Sequence, residues 1–147
     1  MFTAKAEVLV NVPPDRVWSA LTTPELIRQY LFGTTAVSDW KVGSPIVYRG
    51  EWEGKPYEDK GTILEIVPQK RLASTYWSAF SGLPDEPENY QTVTYDLAPA
   101  EIGTRLTVTQ TKVTSQESAD HLTKNWQMVL GNLKKFAESG SSTRQSA

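Results

Sequence analysis

The chain has 147 residues, a length that suits one domain with a single hydrophobic core. Its 15 Lys and Arg against 17 Asp and Glu give a net charge of -2, which argues against a surface that binds nucleic acid. The absence of cysteine excludes disulfides, thiolate nucleophiles and cysteine zinc sites. A membrane helix needs about 20 consecutive apolar residues, and no segment of the sequence approaches that length. We therefore expect a cytoplasmic protein with neither a membrane nor a nucleic-acid partner.

The N-terminal region predicts one strand followed by two short helices. Residues 3–12 alternate between apolar and polar side chains, which is typical of a half-buried strand and not of a signal peptide. Pro14 suits the first turn of a helix. Thr23 is expected to cap a second helix with Pro24 at its first position, and Gly33 is expected to end it. We expect these two helices to meet at an angle.

The middle of the chain predicts a run of strands with no helix between them. Six segments rich in β-branched and aromatic residues are separated by turn residues, and their spacing favours an antiparallel meander. The segments are residues 34–40, 44–52, 59–68, 71–80, 89–99 and 103–112. With the first strand they make a seven-stranded sheet. The longest break, at residues 81–89, is either a surface loop or a flap over a cavity mouth, with the surface loop favoured.

The C-terminal region predicts a long amphipathic helix over residues 115–138. Thr114 and Glu117 form a capping-box pattern, and apolar residues then recur at helical spacing. Residues 139–147 have the composition of a disordered tail, so we expect a single domain over residues 1–138. Because this helix carries the only long apolar stripe, it must cover one face of the sheet. A twisted sheet around one helix leaves a cavity, which the two short helices can close.

Several segments in this order resemble a known family. They are PPDRVWSALTTPELIRQYLFG, SDWKVGSPIVYRGEW, GTILEIVPQKRLASTYW, TVTYDLAPAEIGTRLTVTQ and the final helix with Trp126. Together they resemble START-like helix-grip proteins of the SRPBCC (Bet v 1-like) superfamily, in the branch of the activator of Hsp90 ATPase homologue 1-like (AHSA1) proteins. The chain departs from the family pattern at Tyr30 or Leu31, where Trp is common, and at Asn125, where Gly is common.

The resemblance implies an α+β helix-grip fold of order β-α-α-β6-α, with the sheet wrapped around the C-terminal helix. It also implies a deep apolar cavity, which in different relatives binds lipids, hormones or polyketides, or supports cyclisation or hydration. Other relatives act as co-chaperones. The chain lacks the additional N-terminal domain of the eukaryotic co-chaperone, so we do not expect stimulation of an ATPase.

The aromatic content indicates where a ligand would bind. Five Trp, six Tyr and four Phe exceed what a core of this size needs, and small-molecule pockets are mostly apolar and aromatic. Core packing explains most of these rings equally well. The residues expected to line the cavity are Leu26, Tyr30, Leu31, Trp40, Tyr48, Trp52, Ile63, Tyr76, Tyr95, Gln110, Trp126 and Leu130.

Two of the expected features come from local patterns in the last strand and helix. Arg105 and the threonines at alternate positions after it form a polar set, which predicts that Gln110 points inward. Gly131 is unfavourable inside a helix, so it predicts the close approach of a strand or a ligand, a strand being the simpler reading.

The sequence offers little for catalysis. Glu65 is the one candidate acid, because simple alternation places it on the same strand face as Ile63 and Val67. An inward Glu65 could act as an acid, whereas an outward Glu65, which we favour, is solvated and inert. His121 and the carboxylates around the turn at residues 54–56 are interpreted as solvated surface groups. We predict no metal and no cofactor.

Three functions remain open at this point. The leading hypothesis is a non-enzymatic protein that binds a hydrophobic small molecule. The alternatives are an enzyme of the cyclase or hydratase type using the same cavity, and an Hsp90-type co-chaperone module that contacts a chaperone. An exposed edge strand could also support a dimer.

Overall fold

The computed structural model describes residues 2–31, 33–78 and 82–146, which form seven strands, three α-helices and a short 3-10 helix at Pro87–Asn89. The side chains of Trp52 and of residues 140–146 are outside this description. The elements in chain order are β1 (Phe2–Val10), α1 (Pro14–Thr22), α2 (Pro24–Tyr30), β2 (Thr35–Ser38), β3 (Pro45–Trp52), β4 (Lys55–Val67), β5 (Arg71–Tyr76), β6 (Gln91–Pro99), β7 (Thr104–Val113) and α3 (Gln116–Ser146).

All neighbouring strands pair antiparallel, in the order β1-β7-β6-β5-β4-β3-β2. The meander from β2 to β7 is therefore consecutive in space, and β1 returns to pair with β7. This is the predicted α+β helix-grip fold, and the prediction is confirmed. In the described part of the chain no helix combines the length and hydropathy needed to cross a bilayer.

The two short helices begin where the proline pattern predicts. Pro14 and Pro24 each occupy the first turn of a helix, where a missing N–H costs nothing. Thr23 separates the helices, but its side chain makes no capping hydrogen bond, so the capping role expected for it is wrong. The hydroxyl of Thr22 instead donates to the carbonyl oxygen of Trp18 at 2.9 Å. The backbone of Thr23, and not its hydroxyl, makes the bend.

Helix α3 begins one residue later than the capping-box pattern predicts. The hydroxyl of Ser115, not of Thr114, accepts the backbone N–H of Ser118 at 3.1 Å. The helical backbone continues to Ser146, beyond the predicted end at residue 138. The division into a domain of residues 1–138 and a disordered tail of residues 139–147 stays a prediction.

The C-terminal part of α3 is attached to the edge of β1. The Lys134 ammonium donates to the carbonyl oxygen of Leu9 at 2.9 Å, and the Glu138 carboxylate accepts the N–H of Asn11 at 2.9 Å. The hydrogen bond from Lys134, followed by that from Asn11, lowers the pKa of Glu138. These contacts satisfy backbone groups that an edge strand would otherwise leave open. Strand β2, at the other end of the sheet, is the second edge.

The core lies between the concave face of the sheet and the apolar stripe of α3. The helix contributes Val129, Leu130, Leu133 and Ala137, all at most 9% exposed. Every strand contributes alternate residues, as period-2 geometry requires. The buried strand residues of this cluster are Ala6, Val10, Ala36, Ile46, Ile63, Leu72, Val93, Leu97, Leu106 and Val108.

Candidate functional site

Four tyrosines from four different elements converge in the interior. They are Tyr30 of α2, Tyr48 of β3, Tyr76 of β5 and Tyr95 of β6, and we call them the interior tyrosines. Burial raises the pKa of all four, and electrostatic interaction with Tyr48 raises the pKa of the other three further. Because such an interaction requires proximity, the four phenol groups share one region.

The interior tyrosines differ in whether their hydroxyls are used within the protein. The hydroxyl of Tyr30 donates to the carbonyl oxygen of Ala20, and that of Tyr76 donates to a carboxylate oxygen of Asp59, both at 2.8 Å. The hydroxyls of Tyr48 and Tyr95 have no hydrogen-bond partner among the residues that the structure describes. Two phenol donors of the interior therefore make no hydrogen bond within the described part of the chain.

A chain of amide and indole groups lies beside Tyr95. Gln110 is 2% exposed, and its side-chain oxygen accepts the indole N–H of Trp126 at 2.9 Å. Its side-chain nitrogen donates to the side-chain oxygen of Gln91. The rings of Tyr95 and Trp126 meet edge to face, with centroids 5.8 Å apart and an interplanar angle of 87°. These contacts hold Trp126 and Tyr95 in defined orientations, and Gln110 points inward as predicted.

Several aromatic side chains of the interior keep part of their surface accessible. Tyr48, Tyr76, Tyr95, Trp40 and Trp126 are half-buried and pack against the buried core cluster. The raised pKa of these phenols shows that protein surrounds them. Their remaining accessible surface shows that the rings also adjoin open space. We therefore take this region as the candidate binding site, with an aromatic wall and few polar groups.

Trp40 is held in an unusual backbone conformation at the edge of this region. Its φ of 58° lies in the left-handed region that bulky residues rarely adopt. The hydroxyl of Ser38 accepts the N–H of Trp40 at 3.0 Å, while Ser44 hydrogen-bonds with the backbone N–H and carbonyl of Lys41. These serines fix the turn so that the indole packs against the core.

Most of the predicted lining residues share this interior. Tyr30, Ile63 and Leu130 belong to the buried core cluster, and Gln110 is a buried polar residue. The half-buried members that pack on the cluster are Leu31, Trp40, Tyr48, Tyr76, Tyr95 and Trp126. Leu26 is half-buried and is not part of that packed set, and the side chain of Trp52 lies outside the described residues. Their role in ligand binding stays a prediction.

A β-bulge places Glu65 on the outer face. The pairing of β4 with β5 shifts between Ile63 and Glu65, so that Leu64 and Glu65 both face solvent whereas Ile63 and Ile66 face the core. The Glu65 side chain is 47% exposed and lies 3.5 Å from Arg71. The prediction that Glu65 and Ile63 lie on the same face of the strand is therefore wrong. The favoured alternative, an outward and solvated Glu65, agrees with the structure. This position leaves Glu65 without access to the interior.

The sequence interpretation missed Asp59. The sequence pattern predicts a solvated carboxylate at the β3–β4 turn, but Asp59 is half-buried, lies opposite Tyr48 in the strand pairing and accepts the hydrogen bond of Tyr76. The signal was available in the alternation of β4, because Asp59, Gly61 and Ile63 lie on one face. Asp59 therefore adds a carboxylate at the margin of the interior.

The expectation for Gly131 is wrong in its simpler form. A Cβ atom added at Gly131 would meet nothing within 4 Å, so no strand approaches this residue. Gly61 and Gly103 are the positions where backbone approaches closely, since an added Cβ would lie 1.7 Å from the Thr75 carbonyl oxygen or 2.1 Å from that of Val10.

A groove lies on the face of the sheet opposite α3. This groove has a volume of ≈ 490 Å³, and residues of β3, β4 and β5 line it together with Asp85, Pro87 and Tyr90. The ion pair of Lys60 and Asp85, at 2.5 Å, joins its two sides, and both side chains are more than a third exposed. None of the predicted lining residues borders it. Because the groove is open and carries a paired charge, it suits an apolar ligand less well than the interior.

Within the described residues no group of three or more His, Cys, Asp or Glu side chains is arranged to hold a metal ion. His121, the one histidine, is exposed near the start of α3.

The fold is similar to several solved structures. ChR145 from Cytophaga hutchinsonii is 44% identical, with a TM-score of 0.82 and 97% of both chains covered. DynU16, from the dynemicin biosynthetic locus, is 20% identical with a TM-score of 0.78, and the match covers 94% of this chain and 48% of DynU16. The Aha1 dimer from Colwellia psychrerythraea is 18% identical with a TM-score of 0.72, and the match covers 91% and 94% of the two chains.

The last two likenesses concern the fold alone. A comparison with curated proteins finds no match. The family model described as "Activator of Hsp90 ATPase homolog 1-like protein" matches residues 11–138, which is most of the chain. Together with the helix-grip architecture, this match shows that the chain belongs to the AHSA1 family of SRPBCC-type proteins.

Proposed function

We propose that this protein binds a hydrophobic small molecule, lipid-like or aromatic, between the concave face of the sheet and α3. The observation that carries the proposal is the convergence of the interior tyrosines beside Trp126, with part of each aromatic wall still accessible. An apolar enclosure with a few oriented polar groups is the usual form of a small-molecule site. We expect the protein to act in the cytoplasm, and no cofactor is part of the proposal.

Membership of the AHSA1 family supports the proposal only at the level of a ligand-binding fold. Glu65, the candidate acid of the cyclase or hydratase alternative, lies on the outer face of the sheet and cannot reach a ligand in the interior. This alternative is therefore less well supported. Contact with a chaperone, which the family description raises, is tested by a pull-down with Hsp90, and absence of the chaperone would exclude it. Dimerisation through the free edge of β2 also stays a proposal.

The direct experiment is mass spectrometry of the purified protein after organic extraction, together with a thermal-shift screen of lipids and planar aromatic compounds. A ligand at about 100 times its Kd stabilises the folded state by about 2.7 kcal/mol, which corresponds to roughly 5–10 °C for a domain of this size. We expect at least one apolar class to give such a shift.

Two matched variants locate the site. Trp126→Ala removes a wall of the interior, whereas Trp77→Ala removes an indole on the opposite face, where Lys60 lies 5.9 Å from the ring centroid. We expect the ligand-induced shift to fall in Trp126→Ala and to persist in Trp77→Ala. A shift that disappears only in Trp77→Ala would place the ligand on the opposite face of the sheet and contradict the proposal.

A further inference from the structure

The groove on the face of the sheet opposite α3 carries two opposite charges that neutralise each other. The Lys60 ammonium lies 2.5 Å from one carboxylate oxygen of Asp85, and the hydroxyl of Tyr90 donates to the other oxygen at 2.5 Å. All three residues line the groove. Because the two charges are already paired, the groove has little net attraction for an anion or a cation. It suits an uncharged ligand.

The polar groups of the groove keep part of their hydrogen-bonding capacity. An ammonium group has three donors, and an ionised carboxylate has roughly four acceptor positions. Among the described residues, Lys60 donates to Asp85, and the Asp85 carboxylate accepts from Lys60 and Tyr90. The hydroxyls of Thr62 and Thr75 also line the groove, and that of Thr75 accepts the N–H of Thr62 at 2.8 Å. Donors and acceptors therefore lie side by side, which a hydrocarbon cannot use.

The groove also has apolar walls of fixed shape. The segment of residues 82–90 forms one wall, and it is held in place because the Trp77 indole donates to the Leu83 carbonyl at 3.2 Å and the Asn89 amide to the Pro84 carbonyl at 2.9 Å. The volume of ≈ 490 Å³ lies within the about 300–1,000 Å³ of small-molecule sites. The apolar lining consists of Pro45, Val47, Pro87 and the ring of Tyr90.

An extended peptide fits this groove poorly. Strands β3, β4 and β5, which form its floor, each have a neighbouring strand on both sides. Their backbone hydrogen bonds lie within the sheet, so a peptide could not add to them as a further strand. The groove favours a compact molecule that carries several hydroxyl groups and one apolar face.

We propose that this groove binds a neutral saccharide of one or two rings. Adjacent hydroxyls of a sugar ring stand about as far apart as the two heavy atoms of a hydrogen bond, so one hydroxyl donates to Asp85 while its neighbour accepts from Lys60. The C–H face of the sugar packs on Pro87 and on the ring of Tyr90, because the face of an aromatic ring is negative. This site is separate from the interior, and the inference goes beyond the proposed function without resting on it.

The test is a titration of 15N-labelled protein with cellobiose, maltose, lactose, mannobiose, xylobiose and chitobiose, followed by two-dimensional NMR. An open groove with few contacts binds weakly, so we expect at least one of these sugars to bind with a Kd of about 1 mM. The backbone signals of Lys60, Thr62 and Thr75 should shift, and the indole signal of Trp126 in the interior should not. Shifts around Trp126 alone, or no binding of any sugar at concentrations about tenfold above this Kd, would overturn the inference.

Two groove variants and one matched control assign the contacts. We expect Lys60→Met to weaken binding at least about fivefold and Thr62→Val about threefold, since each removes a donor to the sugar. Asp96→Asn is the control, because it breaks another exposed ion pair on the same face, with Arg71 at 2.7 Å, at a residue that does not line the groove. The control should leave the Kd unchanged.

The indole signal of Trp77 reports whether residues 82–90 keep their place in each variant, since this indole donates to Leu83. If the signal moves in Lys60→Met, Thr62→Val decides, because Thr62 makes no contact with that segment among the printed hydrogen bonds of the sheet. An unchanged Kd in both groove variants, or an equal loss in Asp96→Asn, would contradict the proposed site.

Discussion

Substitution of Trp126 by Phe tests the polar contact between α3 and the sheet. The indole N–H of Trp126 is the donor to the side-chain oxygen of Gln110, and Gln110 is 2% exposed. Phe keeps an aromatic ring against Tyr95 but cannot donate. The substitution therefore leaves a buried acceptor without its partner, which is more costly than the loss of an exposed hydrogen bond.

The magnitude follows from burial. A stranded buried acceptor costs about 1–3 kcal/mol, and the smaller ring adds a fraction of a kcal/mol because Trp126 is only half-buried. For a domain of this size the sum corresponds to a fall in Tm of roughly 4–10 °C. Trp77→Phe is the control, since the Trp77 indole donates to the carbonyl of Leu83 at 3.2 Å in an exposed setting. We expect the control to cost no more than about 1 kcal/mol.

The assay is urea unfolding followed by circular dichroism, with equal m-values required for the comparison. A free energy of unfolding for Trp126→Phe that is lower than that of Trp77→Phe by at least about 1 kcal/mol supports the reasoning. Equal losses in the two variants would show that the contact of Trp126 with Gln110 contributes nothing beyond an exposed hydrogen bond, and would refute it.

Three further predictions follow from particular positions. Gly131→Ala should raise the free energy of unfolding by up to about 1 kcal/mol, because the added methyl group meets nothing within 4 Å and alanine has the higher helix propensity. Gly103→Ala should lower the free energy of unfolding by more than about 2 kcal/mol, because Gly103 has a φ of 88° and an added Cβ would lie 2.1 Å from a carbonyl oxygen. Urea unfolding that shows a change of the same sign in both variants would contradict this prediction. In the same assay, Leu130→Ala should lower the free energy of unfolding by about 2–5 kcal/mol, because Leu130 is 1% exposed. Met128→Ala should lower it by less than about 0.5 kcal/mol, because Met128 is 50% exposed. Similar losses in the two variants would mean that α3 packs on the sheet through a different face. The pKa of each interior tyrosine is higher in the folded protein than in an unfolded chain, where it is about 10, so the free energy of unfolding is constant below pH 10 and falls as the pH rises above it. Absorbance at 295 nm should show that the interior tyrosines ionise as the protein unfolds. Ionisation of these tyrosines in the fully folded protein would contradict their burial.

Local signals predict most of the fold. Pro14 and Pro24 mark the helix starts because proline is compatible only with the first turn, and period-2 alternation places Gln110 inside because a regular strand must alternate. The capping residue of α3 is displaced by one position, because Ser115 and Thr114 are both competent caps and the choice depends on how β7 ends.

The orientation of Glu65 could not be read from the sequence for a different reason. Simple alternation assigns it to the face of Ile63, but an extra residue in β4 reverses the faces, and such a bulge depends on the pairing with β5. The partners of the interior groups are also non-local. Asp59 meets Tyr76, and Trp126 meets Gln110, across elements far apart in the chain, so only the folded structure identifies which donors remain free.

The central claim, that a small molecule binds between the sheet and α3, is tested most directly by the indole signals of the five tryptophans. A 15N-labelled protein, with signals assigned through single Trp→Phe variants, would be titrated with the planar aromatic compound that gives the largest thermal shift and followed by two-dimensional NMR. We predict that the indole signals of Trp126 and Trp40 shift and that the signal of Trp77, on the opposite face, does not. A shift confined to Trp77, with Trp126 unchanged, would contradict the account.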